Sequence, residues 1–396
     1  MAKIVVHIDL NYFFVRCEEI KDPSLEGKPV AVGHIGRGGI VSTCSYKARE
    51  YGVRSGMPMF QALKLCPSLI VKNGDYEFYS VMSREFMLFV KQYTKKVEIA
   101  SIDECYADFT ETLQGQKFVV DFFKQFQRDL YKNTKLYCSI GVATNKFLAK
   151  MGSDMKKPNG ITILRKRDYQ DKIFPLKIGD MFGIGKKSVP RYQSVGINTI
   201  GDLYNALNER RDVVYSIAGK FIGTIEQWLN GEGDDCILEE DDSELKSIGN
   251  SHTLPHDTND FDEIKEEIKI LANEVSMRAK KENKYGKTVQ ITLKDTNFVT
   301  HNKSLTFTKP TNDENDILSY ATKLLDRHYD GRDIRLVGVT LQNLMDLKDI
   351  AYQMTFYDYE QAEEEEKTKL LINEINRKLD KPLLKRASEA NKNEDK

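Results

Sequence analysis

No stretch of the 396-residue chain stays apolar for long enough to suggest a membrane span. The amino terminus runs only Ile4-Val5-Val6 before polarity returns. Three apolar residues are too few for a secretory signal, so a cytoplasmic protein is expected. The six cysteines (Cys17, Cys44, Cys66, Cys105, Cys138 and Cys236) show no Cys-x-x-Cys spacing. That speaks against a zinc site and a disulfide framework and leaves buried reduced thiols. The six histidines form no HExxH pattern, the usual mark of a zinc protease. Net charge is −1, without the surplus of either sign that would announce a partner. A near-neutral total still permits a basic groove, because binding depends on the charge of one face.

What is present fits a soluble globular protein: 40% hydrophobic and 30% charged residues, in a chain long enough for two to four domains. Ile4-Val5-Val6-His7-Ile8-Asp9 reads as a buried strand ending in a carboxylate, before a helical pattern from Asn11 to Glu19. Asp9 is either a helix cap or a ligand at the end of a strand. Tyr46 and Arg49 share one face of a short helix, where phenol and guanidinium together suit a phosphate, though alone the pattern more often marks a surface helix. A helix over 75–96 carries an apolar stripe of Phe78, Val81, Met82, Phe86, Phe89 and Val90, and feeds the run Val97 to Ala100. Ser101-Ile102-Asp103-Glu104-Cys105 then places two adjacent carboxylates in a turn before the return strand Tyr106 to Phe109. Taken alone, this is a solvated acidic hairpin. Two neighbouring carboxylates that share a site would need a cation or a proton between them.

Further on, Phe118, Phe122, Phe123 and Phe126 of a helix over 117–131 read as core, and Thr144 stands where it can cap the helix holding Lys146 and Lys150. Lys157-Pro158-Asn159-Gly160 is a basic turn before the strand Ile161 to Leu164. Residues 1–165 thus form an α+β pattern with one inserted subdomain. Short helices follow, with a Gly183-Ile184-Gly185-Lys186-Lys187 turn whose N–H groups could hold a phosphate, or which is an ordinary interhelical turn. Pro190 is expected to bend the helix after it. The glycine-rich, acidic run 231–242 reads as a linker, and 246–344 have the order βαββαβ with helices on one face of a sheet.

In this combination and order, His7-Ile8-Asp9-Leu10-Asn11-Tyr12-Phe13-Phe14, Tyr46-Lys47-Ala48-Arg49, Ser101-Ile102-Asp103-Glu104, Asn145-Lys146-Phe147-Leu148-Ala149-Lys150 and Lys157-Pro158-Asn159-Gly160 are specific. The chain resembles the Y-family (translesion) DNA polymerases, most closely the bacterial DNA polymerase IV (DinB) group. The resemblance implies an α+β multidomain right hand: palm 1–11 and 74–165, fingers 12–73, helix-hairpin-helix thumb 166–233, linker 234–245, βαββαβ little finger 246–346 and tail 347–396. It implies that Asp9, Asp103, Glu104 and the Leu10 carbonyl hold two Mg²⁺ ions. Phe13, Phe14, Tyr46, Arg49 and Lys157 would then contact the incoming dNTP, with Phe14 as the steric gate against a 2′-hydroxyl. Gly183, Gly185, Lys186 and Lys187 would touch the primer-template DNA. Gln353, Phe356 and Tyr357 look like a peptide for the bacterial sliding clamp, or are a loose apolar tail. A monomer without proofreading is expected. The competing expectations are a subunit of the UmuC type that needs a partner, and an inactive DNA-repair scaffold.

Overall fold

All six residues of the first strand, β1 (Val5–Leu10), are buried, the mark of a strand covered on both faces. The computed structural model describes residues 3–233, 235–238, 245–349 and 371; Gln353, Phe356 and Tyr357 lie outside them. The chain divides into two units, Met1–Glu244 and Leu245–Lys396.

In the first unit β1 leads into α1 (Phe13–Lys21). A small lobe follows, with β2 (Val30–Gly33), β3 (Val41–Cys44), α2 (Tyr46–Glu50), α3 (Met59–Leu65) and β4 (Ile70–Lys72). Its sheet has the order β3-β2-β4 and its own core around Ala31, Val41, Met59 and Ala62. The chain returns through α4 (Tyr76–Lys91), the hairpin β5 (Val97–Ile99) and β6 (Glu104–Asp108), α5 (Val119–Thr134), β7 (Cys138–Ala143), α6 (Lys146–Met155) and β8 (Ile161–Ile163). These strands make a sheet of order β5-β6-β1-β7-β8, so β1 sits at its centre. Ile8, Leu10, Phe86, Phe89, Phe123 and Phe126 fill the core between this sheet and helices α1, α4 and α5.

Among the described residues, five further α-helices complete the unit: α7 (Tyr169–Lys172), α8 (Val189–Gln193), α9 (Ile200–Glu209), α10 (Arg211–Ala218) and α11 (Ile222–Asn230). They share a core with α6, where Phe147 stacks on Trp228 with ring centroids 4.8 Å apart. Four expectations need correction. Phe118 is 71% exposed, because it precedes the first turn of α5 and so lies off its apolar stripe. Val81 is exposed on the outer face of α4, and that helix ends at Lys91. Asn145, not Thr144, caps α6 by accepting from the Leu148 N–H at 2.9 Å. Pro190 occupies the first turn of α8, where a missing N–H costs no helical hydrogen bond, so it starts the helix rather than bending it.

The second unit runs β9 (Ser247–Thr258), α12 (Phe261–Lys281), β10 (Lys284–Asp295), β11 (Thr300–Thr311), α13 (Glu314–His328) and β12 (Ile334–Asp346), the expected βαββαβ order. The sheet, ordered β11-β10-β12-β9, is antiparallel throughout. Ile268, Leu271 and Val275 of α12 and Ile317 and Leu324 of α13 pack on Val289, Ile291, Val337 and Val339. Both helices therefore cover one face of the sheet.

Candidate active site

Antiparallel pairing of β1 with β6 sets Asp9 directly opposite Glu104, so their side chains project from the same face of the sheet. Asp103 is the last residue of the turn before β6; its carbonyl accepts the Leu10 N–H at 2.9 Å, which pins the hairpin to the end of β1. The Ser101 hydroxyl donates to the Asp103 carboxylate at 2.7 Å. The acidic pair therefore sits where the strand begins, the place at which neighbouring side chains can face one site.

Two lysines meet these carboxylates. Lys150 of α6 donates to Asp9 at 2.9 Å and to Glu104 at 2.6 Å. Lys157, in the turn after α6, donates to Asp9 at 2.7 Å and pairs with Asp154 at 2.8 Å. Beneath them His7 is fully buried, with Nε2 3.2 Å from Glu104 and Nδ1 2.8 Å from the Ser153 hydroxyl. Burial disfavours the charged form of Glu104, but hydrogen bonds from His7 and Lys150 outweigh it and hold the carboxyl well below its usual range. Asp103 goes the other way: burial, with the nearby charges of Asp9 and Glu104, raises it against the bond from Ser101. Burial opposes the charge of Lys150 as well, yet Asp9, Asp154 and Glu104 together raise it above the ordinary lysine range. Ligand atoms of His7, Asp9 and Glu104 lie within 4.8 Å of one another. That group holds two carboxylates and one imidazole, and Asp103 stands close enough to feel the charges of both carboxylates, so the oxygen donors present suit a hard divalent cation.

In front of the carboxylates lies a cleft of about 270 Å³. Asp9, Leu10, Phe13, Phe14, Tyr46, Arg49, Asp103 and Lys157 all line it, bringing eight sequence-derived candidates to one cavity. Glu104 does not line it: paired with Asp9 across the two strands, its carboxylate is held by Lys150 and His7. Ser45 caps α2 through the Ala48 N–H and also donates to the Lys28 carbonyl, which fixes the helix that presents Tyr46 and Arg49. The Arg49 guanidinium lies over the Tyr46 ring, 4.6 Å from its centroid. Phe14 is stacked on Tyr79 at 4.6 Å, and the Tyr79 hydroxyl is tied to Glu18 at 2.7 Å. The gate candidate is thus backed by a ring that is itself held in place.

Tyr12, Ser42, Thr43 and Ser55 also line the cleft, and no spacing singled them out. Nor was a role read for His7 or Lys150, although both stand in quoted motifs; their pairing with Glu104 spans the sheet and α6 and leaves no local pattern. Gly183, Gly185, Lys186 and Lys187 form a separate exposed turn ahead of α8. Gly183 has φ +89°, and a Cβ there would meet the Trp228 ring at 3.1 Å, so packing alone accounts for that glycine.

Residues 8–154 match the impB/mucB/samB family, and residues 245–355 match that family's C-terminal domain. The chain belongs to this family. Its impB/mucB/samB match spans Asp9, Asp103 and Glu104, while Lys157 falls between the two matched stretches. A DNA polymerase IV of Oceanobacillus iheyensis is 37% identical over 99% of this chain and 93% of its own. A DNA polymerase IV 1 of Bacillus subtilis is likewise 37% identical, over 100% of this chain and 95% of its own. Among solved structures, a Y-family DNA polymerase chimera superposes with a TM-score of 0.77 at 28% identity, covering 87% of this chain and 99% of that one. An insertion ternary complex of Dbh DNA polymerase gives 0.59, also at 28% identity, with the same coverage. Among the described residues no helix is long and apolar enough to cross a membrane.

Proposed function

We propose that this member of the impB/mucB/samB family is a template-directed DNA polymerase that extends primers across damaged templates. The observation that carries this reading is the convergence of Asp9, Asp103, Phe14, Tyr46, Arg49 and Lys157 on one cleft, with Glu104 opposite Asp9 on the neighbouring strand. Asp9, Asp103, Glu104 and the Leu10 carbonyl would hold two Mg²⁺ ions. Bound there, the ions supply Lewis-acid stabilisation to the attacking and leaving oxygens of an in-line phosphoryl transfer. Arg49 and Tyr46 orient the triphosphate from α2, Arg49 with a forked pair of donors. Lys157 reaches it from the turn after α6, exchanging its bond to Asp9 for one to a phosphate. Phe13 and Phe14 lie against the sugar, and the stacked Tyr79 keeps the Phe14 ring from yielding to a 2′-hydroxyl.

In this reading the five-stranded sheet and its helices are the palm (1–11 and 74–165), the three-stranded lobe is the fingers (12–73) and α7–α11 belong to the thumb (166–233). The second unit supplies the little finger (246–346). Gly183, Gly185, Lys186 and Lys187 take duplex phosphates, which carry no sequence information and so suit a template-tolerant enzyme. Gln353, Phe356 and Tyr357 dock the tail on the sliding clamp, and the protein acts as a cytoplasmic monomer. Primer extension by the purified chain, on damaged and undamaged templates, tests the reading. Phe14→Ala is expected to incorporate ribonucleotides at least about a hundredfold more readily, the scale of losing one close steric contact in a discriminating pocket. Unchanged sugar selection would remove Phe14 from the gate.

A further inference from the structure

Resting on the polymerase reading above, we infer that Asn11 is a positioning residue for Lys157, acting through the side chain of Asn159. Asn11 follows the metal-facing end of β1 and is 2% exposed. Its side-chain amide is used at both ends. Nδ2 donates to Asn159 Oδ1 at 2.7 Å, and Oδ1 accepts from the buried Ser139 hydroxyl at 2.8 Å. Its main-chain N–H donates to the Tyr137 carbonyl at 2.8 Å, which fixes the residue against the entry to β7. One amide thus joins the central strand to the turn that bears Lys157.

That turn is held by its far end as well. Gln127 of α5 donates both to the Asn159 carbonyl at 3.1 Å and to the Cys138 carbonyl at 2.8 Å. The Gly160 carbonyl accepts the Ile140 N–H at 2.8 Å, and a Cβ on Gly160 would run into the Lys156 carbonyl. Asn159 itself has φ +59°, a left-handed conformation that asparagine tolerates better than most residues. Asn159 therefore anchors the turn through its side chain to β1 and through its main chain to α5. Two residues earlier, the main chain of Lys157 is carried by that turn, while its side chain is paired with Asp9 and Asp154.

The consequence is a nucleotide grip that is set before the substrate arrives. A lysine carried on a loose loop would spend ordering entropy on each binding event, whereas one on a pinned turn would not. Asn11, between Asp9 and the gate aromatics, then couples the carboxylate wall of the cleft to the phosphate grip. An acidic side chain at position 11 would offer acceptors only, and it would place a further negative charge near the triphosphate.

Steady-state single-nucleotide incorporation by the full chain tests this, using Asn159→Gly alone and in a Lys157→Ala background. Glycine accepts the positive φ and removes the amide that Asn11 holds, while also loosening the main chain, so Asn11→Ala, which leaves residue 159 in place, must show the same effect. The expected result is a rise of about tenfold in KM for the nucleotide, the scale of one buried hydrogen bond, with kcat moving far less. In the Lys157→Ala background the same substitution should add no further rise. Asn11→Ala, which also strips Ser139 of its acceptor, is the second variant and should show the same dependence on Lys157. An equal rise in both backgrounds, or a fall in kcat with KM unchanged, would overturn the inference while leaving the polymerase reading intact. No extension by the unsubstituted chain would overturn both.

Discussion

Asp103 sits half-buried beside two other carboxylates, and the fold bears a cost for keeping it charged. Its pKa is raised, first by burial and then by Asp9 and Glu104, so the folded state favours the protonated form more than the unfolded chain does. The contribution to stability is therefore full below the ordinary carboxylate range and is lost as pH rises through the raised folded value. At neutral pH the metal-free protein carries the penalty. Asp103→Asn should raise the melting temperature without divalent cation by a few degrees, about 1 kcal/mol, while abolishing synthesis. A melting temperature that falls would show that the charge is welcome there. Of the site's residues, those with an unusual neighbour in sequence were legible: the Asp103-Glu104 pair, and Tyr46 and Arg49 at helical spacing. Lys150 and His7 were not, because their meaning comes from a contact with Glu104 made across β1, β6 and α6.

At the scale of elements, the strands and helices followed from periodicity, and the departures have local causes. Phe118 lies beyond the start of α5, and Pro190 starts α8, because helix ends depend on caps that apolar patterning does not encode. A closer constraint binds β7 to α6. A Cβ on Gly141 would run into the Ala149 carbonyl and the Ser153 N–H, main-chain atoms of a helix that cannot step aside. Gly141→Ala should therefore destabilise the first unit by about 2–3 kcal/mol, the cost of overpacking a rigid site, and weaken synthesis by displacing Lys150. Thermal melting followed by circular dichroism checks this; an unchanged midpoint would mean that α6 can shift outward. No periodicity singles out such a glycine, since what matters is how closely two backbones approach.

For the whole molecule, the contacts divide the chain between Glu244 and Leu245, and the second unit has a core of its own built on Ile268, Val275, Ile291 and Val339. Residues 245–396 expressed alone should melt cooperatively; a fragment without a transition would show that its core needs the first unit. Family membership was legible because five short motifs occur together and in one order. In the proposed function, DNA synthesis by this chain depends on the carboxylates of Asp9, Asp103 and Glu104. Primer extension with Mg²⁺ by the pure protein and by Glu104→Gln tests it most directly. The unsubstituted chain is expected to extend the primer, and the variant to lose on the order of a thousandfold or more. Full activity of Glu104→Gln would contradict it.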